Sequence, residues 1–118
     1  MPFWALYILS DFFYFILLLS GYRKKVVVKN LTNSFPEKTS KEITILYKQY
    51  YSYLCDLVLE TLKTLRMSEK ETKERCVFHH PEWLTRLSNE NRSIVIVMGH
   101  YGNWEWAGPS FTLNTNYQ

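Results

Sequence analysis

Residues Phe3 to Ser20 run apolar almost without interruption, and Arg23-Lys24-Lys25 follows at once. Eighteen residues of helix reach roughly 27 Å, close to the thickness of a hydrocarbon core. A cleaved signal peptide carries its cations before the apolar run and a small-residue cleavage site behind it. Here the cations come after the run, and Pro2 and Phe3 lead straight into it. The pattern therefore predicts an uncleaved membrane anchor over residues 1–22, with the basic cluster on the cytoplasmic side.

Asp11 sits at the centre of that run. Insertion scales charge about 2.5–3.5 kcal/mol for a carboxylate at this depth. Eleven Leu, Ile and Phe residues, at about −0.5 kcal/mol each, more than offset it. Tyr7, Ser10, Asp11 and Tyr14 fall at helical spacing and make one polar stripe. That stripe packs on the protein, or faces water while the helix lies in the interface. A spanning anchor is favoured over an interfacial helix, and both over a core helix.

Residues 23–67 form a second region. Arg23, Lys24, Lys25 and Lys29 crowd a short amphipathic segment whose apolar side is Val26, Val27, Leu31 and Phe35. Beside an anchor, such cations read as contacts with anionic headgroups or with a charged lipid substrate, each worth about 1 kcal/mol near the surface. Pro36 ends the segment. Thr39-Ser40-Lys41-Glu42 fits a capping box. Behind it, apolar residues from Ile43 to Leu65 recur at three- and four-residue steps, predicting a long amphipathic helix ending near Met67. Ser68-Glu69-Lys70-Glu71 is a second box.

Residues 68–118 read as the start of an α/β domain. Cys76-Val77-Phe78 is a candidate first strand. Pro81 opens a short helix, and Asn89 to Arg92 turns the chain into Ser93-Ile94-Val95-Ile96-Val97-Met98, a β-branched run with the pattern of a buried strand. A further helix is expected after Asn103, interrupted at Gly108-Pro109. Helix, strand, helix, strand, helix predicts an α/β fold. A strand apolar on both faces needs neighbouring strands and covering helices. The sequence accordingly reads as the front part of a larger domain, breaking off in the polar tail to Gln118 and inactive on its own.

His100 follows the apolar run by one glycine, and Glu105 follows His100 by five residues. Glu105 can orient the imidazole and fix its tautomer, leaving the other nitrogen to take a proton from a hydroxyl. The Tyr101-Gly102-Asn103 connection gives a flexible turn, and backbone N–H groups at the start of the helix behind it can bind an anion. By spacing alone this signal is weak, since most histidines are structural.

The neighbourhood sharpens it. Gly99-His100-Tyr101-Gly102-Asn103-Trp104-Glu105-Trp106, a histidine, four residues and an acid, resembles the first motif of the lysophospholipid acyltransferase superfamily. More narrowly it is similar to the lipid A late acyltransferases, the lauroyl/myristoyl transferases of Gram-negative bacteria. Asn30-Leu31-Thr32-Asn33-Ser34-Phe35-Pro36-Glu37 resembles that family's Asn-Leu then Phe-Pro signature after its anchor. The resemblance implies transfer of a fatty acyl group from an acyl carrier protein thioester (or acyl-CoA) to a hydroxyl of a lipid A precursor. The place implied is the cytoplasmic face of the bacterial inner membrane. His100 would be the general base and Glu105 its partner, with direct attack on the thioester, no covalent acyl-enzyme, no cofactor and no metal. Asn103, with Arg23, Lys24, Lys25 and Lys29, is a weaker candidate for substrate or membrane contact.

Other residues have plainer readings. His79-His80 lacks a suitably spaced third ligand and reads as a surface turn. Cys55 lies on the apolar face of the long helix and reads as a buried small hydrophobe. Asp56 and Glu60, four apart, read as a solvated edge. The matches to the glycosylation pattern at Asn30 and Asn91 are irrelevant in bacterial cytoplasm. No nucleic acid partner is expected. A serine hydrolase is disfavoured by the lack of a Gly-x-Ser-x-Gly elbow. The alternative of another class is a non-catalytic membrane-anchored fragment or scaffold whose histidine merely packs.

Overall fold

The computed structural model describes residues 1–90 and 93–115. The chain divides into two compact units, Met1–Leu59 and Glu60–Gln118.

In the first unit, α1 (Phe3–Ser20) is long and apolar enough to cross a membrane, and most of it is not covered by protein. Only Leu6 and Ser10, one turn apart, are buried, while Trp4, Ile8, Phe12, Phe15 and Leu19 stand outside. In water that surface would oppose folding, whereas in hydrocarbon it is the favourable arrangement. Of the expected polar stripe, Ser10 is buried and Asp11 is exposed. The helix stops at Gly21, whose φ of +61° suits a residue without a Cβ. Arg23 also adopts a left-handed conformation, with φ +51°, at a cost of about 1–3 kcal/mol for a non-glycine residue. The chain turns there into α2 (Lys24–Ser34).

The capping box at the start of α3 (Ser40–Thr64) is formed. The Thr39 amide and hydroxyl donate to Glu42 Oε2 at 2.8 and 2.7 Å, and the Glu42 amide donates to Thr39 Oγ1 at 3.4 Å. These bonds, the hydroxyl first, hold the Glu42 carboxyl below the usual glutamate range. Ile43, Tyr47, Tyr51 and Cys55, spaced by four, are the buried stripe of this helix. Tyr51 donates its hydroxyl to the Tyr22 carbonyl, tying α3 to the turn behind α1. Burial, then the phenols of Tyr47, Tyr50 and Tyr22, push the Tyr51 hydroxyl above its ordinary range, with Arg23 opposing. Burial pushes the Cys55 thiol up as well, as expected of a packed cysteine.

The second unit is built from the last turn of α3, α4 (Glu69–Arg75), α5 (Glu82–Asn89), a 3₁₀ turn (Trp104–Trp106) and α6 (Ala107–Asn114). Ser68 caps α4, accepting from the Glu71 amide at 3.2 Å. The other half of the box is not made. The Glu71 carboxylate pairs instead with Lys63 at 3.5 Å. α6 packs on α4 through Ser110, fully buried, which donates to the Cys76 carbonyl at 2.5 Å. Phe78 and Phe111 meet edge to face at 5.9 Å. Gly108-Pro109 does not interrupt the helix. Both residues lie in its first turn, where the N–H that proline lacks is not required.

The predicted α/β fold is not found. The described residues form helices and no strand. Ser93 to Met98 has no regular secondary structure and is mostly exposed, with Val95 and Val97 each 90% exposed. Cys76 caps the end of α4, and Val77 is exposed. An extended segment becomes a strand only when a neighbour takes its N–H and C=O groups. Among the described residues no neighbour does so for either run. The expected turn at Asn89 to Arg92, the Asn91 sequon and the tail to Gln118 reach residues 91–92 and 116–118, outside the described residues.

Candidate functional site

The segment from Gly99 to Trp106 belongs to the second unit. Its turn is made at Gly102, with φ +62°, a conformation glycine adopts without a steric penalty. Asn103 then opens the 3₁₀ turn, its carbonyl accepting from the Trp106 amide at 3.2 Å. The 3₁₀ turn runs directly into α6, so Glu105 stands on the first turn of a continuous helical stretch. A carboxylate is favoured there by the helix dipole.

His100 is exposed. Its ring packs edge to face on Trp104, centroids 4.3 Å apart and planes at 71°. Glu105 is exposed too. Among the described residues no hydrogen bond or ion pair joins His100 to Glu105. The two groups share one turn, and both are open to an approaching molecule. They do not form a preassembled pair.

What fixes the turn is a bond absent from the sequence reading. Asn103 Nδ2 donates to Glu60 Oε2 at 2.8 Å, across 43 residues of sequence. Glu60 is half-buried rather than part of a solvated edge. Asn103 Oδ1 is buried and meets no donor among the described residues. The side chain thus spends one end on holding the turn, and its other end is an acceptor without a partner. The Arg75 guanidinium lies 5.9 Å over the Trp106 ring, securing the far side of the 3₁₀ turn.

The basic candidates belong to the first unit. Arg23 sits at the start of α2, lining a cavity with α3. The Lys24 ammonium lies 5.4 Å over the Tyr47 ring. Lys25 and Lys29 are exposed. His79 and His80 are exposed, and His80 Nδ1 lies 2.9 Å from Glu82 Oε1. No cluster of three metal-ligating side chains occurs among the described residues.

An exposed histidine and glutamate on a glycine turn, beside a unit with an apolar helix long enough to cross a membrane, do not by themselves name a reaction. The comparison with known families supplies the class. Residues 1–117 match the family described as bacterial lipid A biosynthesis acyltransferase. The chain belongs to that family. No curated protein and no solved structure matches it. As a lipid A biosynthesis acyltransferase it is an enzyme, and α1 is consistent with association with a membrane. Among the described residues, the histidine of the Gly99–Trp106 turn is an exposed imidazole beside a helix start, as His80 is before α5.

Proposed function

We propose that this chain serves the transfer of a fatty acyl group from an acyl thioester, carried by acyl carrier protein, to a hydroxyl of a lipid A precursor, and supplies its general base. In this reading His100 removes the hydroxyl proton as the alkoxide attacks the thioester carbonyl. A carbon–oxygen bond forms, the carbon–sulfur bond breaks, and the departing thiolate recovers the proton from the imidazolium. Glu105 receives the other ring N–H when the acceptor fills the turn and displaces His100 from the Trp104 edge. Catalytic hydrogen bonds commonly tighten only in the loaded complex. Asn103 positions the turn through Glu60 and offers Oδ1 to the substrate. Residues 1–22 anchor the chain in the inner membrane, residues 23–67 carry the headgroup-facing cations and the long helix, and residues 68–118 carry the chemistry. The cations behind α1 favour the cytoplasmic face.

The observation that carries this reading is the family match over residues 1–117, which includes the His100–Glu105 motif on an accessible turn. It is tested with membranes of the bacterium that encodes the chain, a radiolabelled acyl carrier protein thioester and the lipid A precursor. His100→Ala should lower transfer by about 10²–10⁴-fold, the usual worth of a general base. Glu105→Gln should lower it less. Equal transfer by wild type and His100→Ala would remove His100 from the mechanism and favour the packing role.

A further inference from the structure

Within the first unit, α2, the turn before it and α3 line an open cavity of about 370 Å³. Val27 and Leu54 give it apolar wall, while Tyr22, Arg23, Asn30 and Tyr50 bring polar groups to its lining. No acidic residue lines it. Arg23 has no carboxylate partner among the described residues. The sequence holds no aspartate or glutamate from Phe12 to Pro36 that would neutralise it. The neighbouring Lys24 is engaged elsewhere, over the Tyr47 ring. The lining begins at Tyr22, immediately behind the Gly21 cap of the apolar helix.

We infer that this cavity binds the phosphate of a lipid headgroup, held by the Arg23 guanidinium. A guanidinium presents paired donors that match two phosphate oxygens. The Asn30 amide supplies a further donor, and the Val27–Leu54 wall takes the glycerol and the first methylenes of the chain. The position agrees with the chemistry, because a helix that spans hydrocarbon and ends at Ser20 puts the next residues among the headgroups. The inference rests on the anchor reading of α1 and is independent of the roles of His100 and Glu105.

The test uses the whole chain in detergent micelles, titrated with dioctanoyl phosphatidylglycerol and followed by native mass spectrometry. One saturable lipid per chain is expected. Arg23→Lys keeps the charge but loses the fork, and should weaken binding about tenfold, the loss of one charge-assisted hydrogen bond. Asn30→Ala should weaken it severalfold, and Lys25→Gln, outside the cavity, should not. Unspecific attraction between cations and lipid predicts the reverse: Arg23→Lys like wild type and Lys25→Gln weakened. That result, or binding that never saturates, overturns the inference. Should Arg23→Lys lose helical circular dichroism, Asn30→Ala decides in the same way. Inorganic phosphate supplies the second arm. Displacement of the lipid only at far higher concentration supports a lipid source, and displacement at matching concentration overturns it in favour of phosphate from solution.

Discussion

Asn103 is the residue on which the candidate site turns, because its bond to Glu60 is what holds the His100 turn in place. Glu60→Ala would leave the Asn103 amide half-buried without its acceptor, costing about 1–3 kcal/mol. Glu60→Gln keeps an oxygen there and should cost less than half as much. Hydrogen exchange of the Gly99–Trp104 amides checks this, with faster exchange expected in Glu60→Ala. At the other end of α3, Glu42 makes a separate prediction. Its folded pKa lies below the unfolded value, because the carboxylate accepts from Thr39. Its contribution is therefore fully present above the unfolded value and is lost as pH falls through the folded one. A carboxyl NMR titration should find Glu42 below the ordinary glutamate range, with the first turn of α3 fraying as it protonates. Thr39→Ala should return it upward. The two cysteines differ in the same testable way. Cys55 is buried with its thiol pushed up, and Cys76 is half-buried. Maleimide should label Cys76 first in the folded protein and both cysteines equally in denaturant.

At the scale of elements, what was legible in the sequence depended on how far apart the partners lie. The capping box of α3 joins residues three apart, so its letters alone announce it. The stripe Ile43, Tyr47, Tyr51, Cys55 repeats at four and is equally local. The Asn103–Glu60 bond spans 43 residues, and no local pattern signals it. The Ser93–Met98 run fails for a different reason. Its β-branched composition suits a buried strand, yet the segment is neither paired nor buried. Composition does not report whether a ladder partner is present, and a strand is defined by that partner. Gly108-Pro109 was misjudged because proline breaks a helix interior but suits a first turn. The element with the clearest physical demand is α1, whose apolar side chains stay outside the protein. Phe12→Lys with Ile16→Lys adds two central charges, each costing about 2.5–3.5 kcal/mol of insertion. The parent chain should remain in the membrane pellet after alkaline carbonate, and the double variant should leave it.

Taken as a whole, the molecule divides its tasks between two compact units. The first holds the apolar helix α1, the cations and the cavity lined by α2 and α3. The second holds the His100 turn and the helices that brace it. Family membership covers both, since the match runs over residues 1–117. The central claim is that the exposed imidazole of His100 supplies the base for acylation of a lipid A hydroxyl. The most direct measurement is mass spectrometry of lipid A from the encoding bacterium, with His100→Ala placed in the chromosomal gene. At unchanged protein level, lipid A lacking one secondary acyl chain is the predicted result. A lipid A profile identical to the parent strain, with the variant protein present in the membrane, would contradict the account.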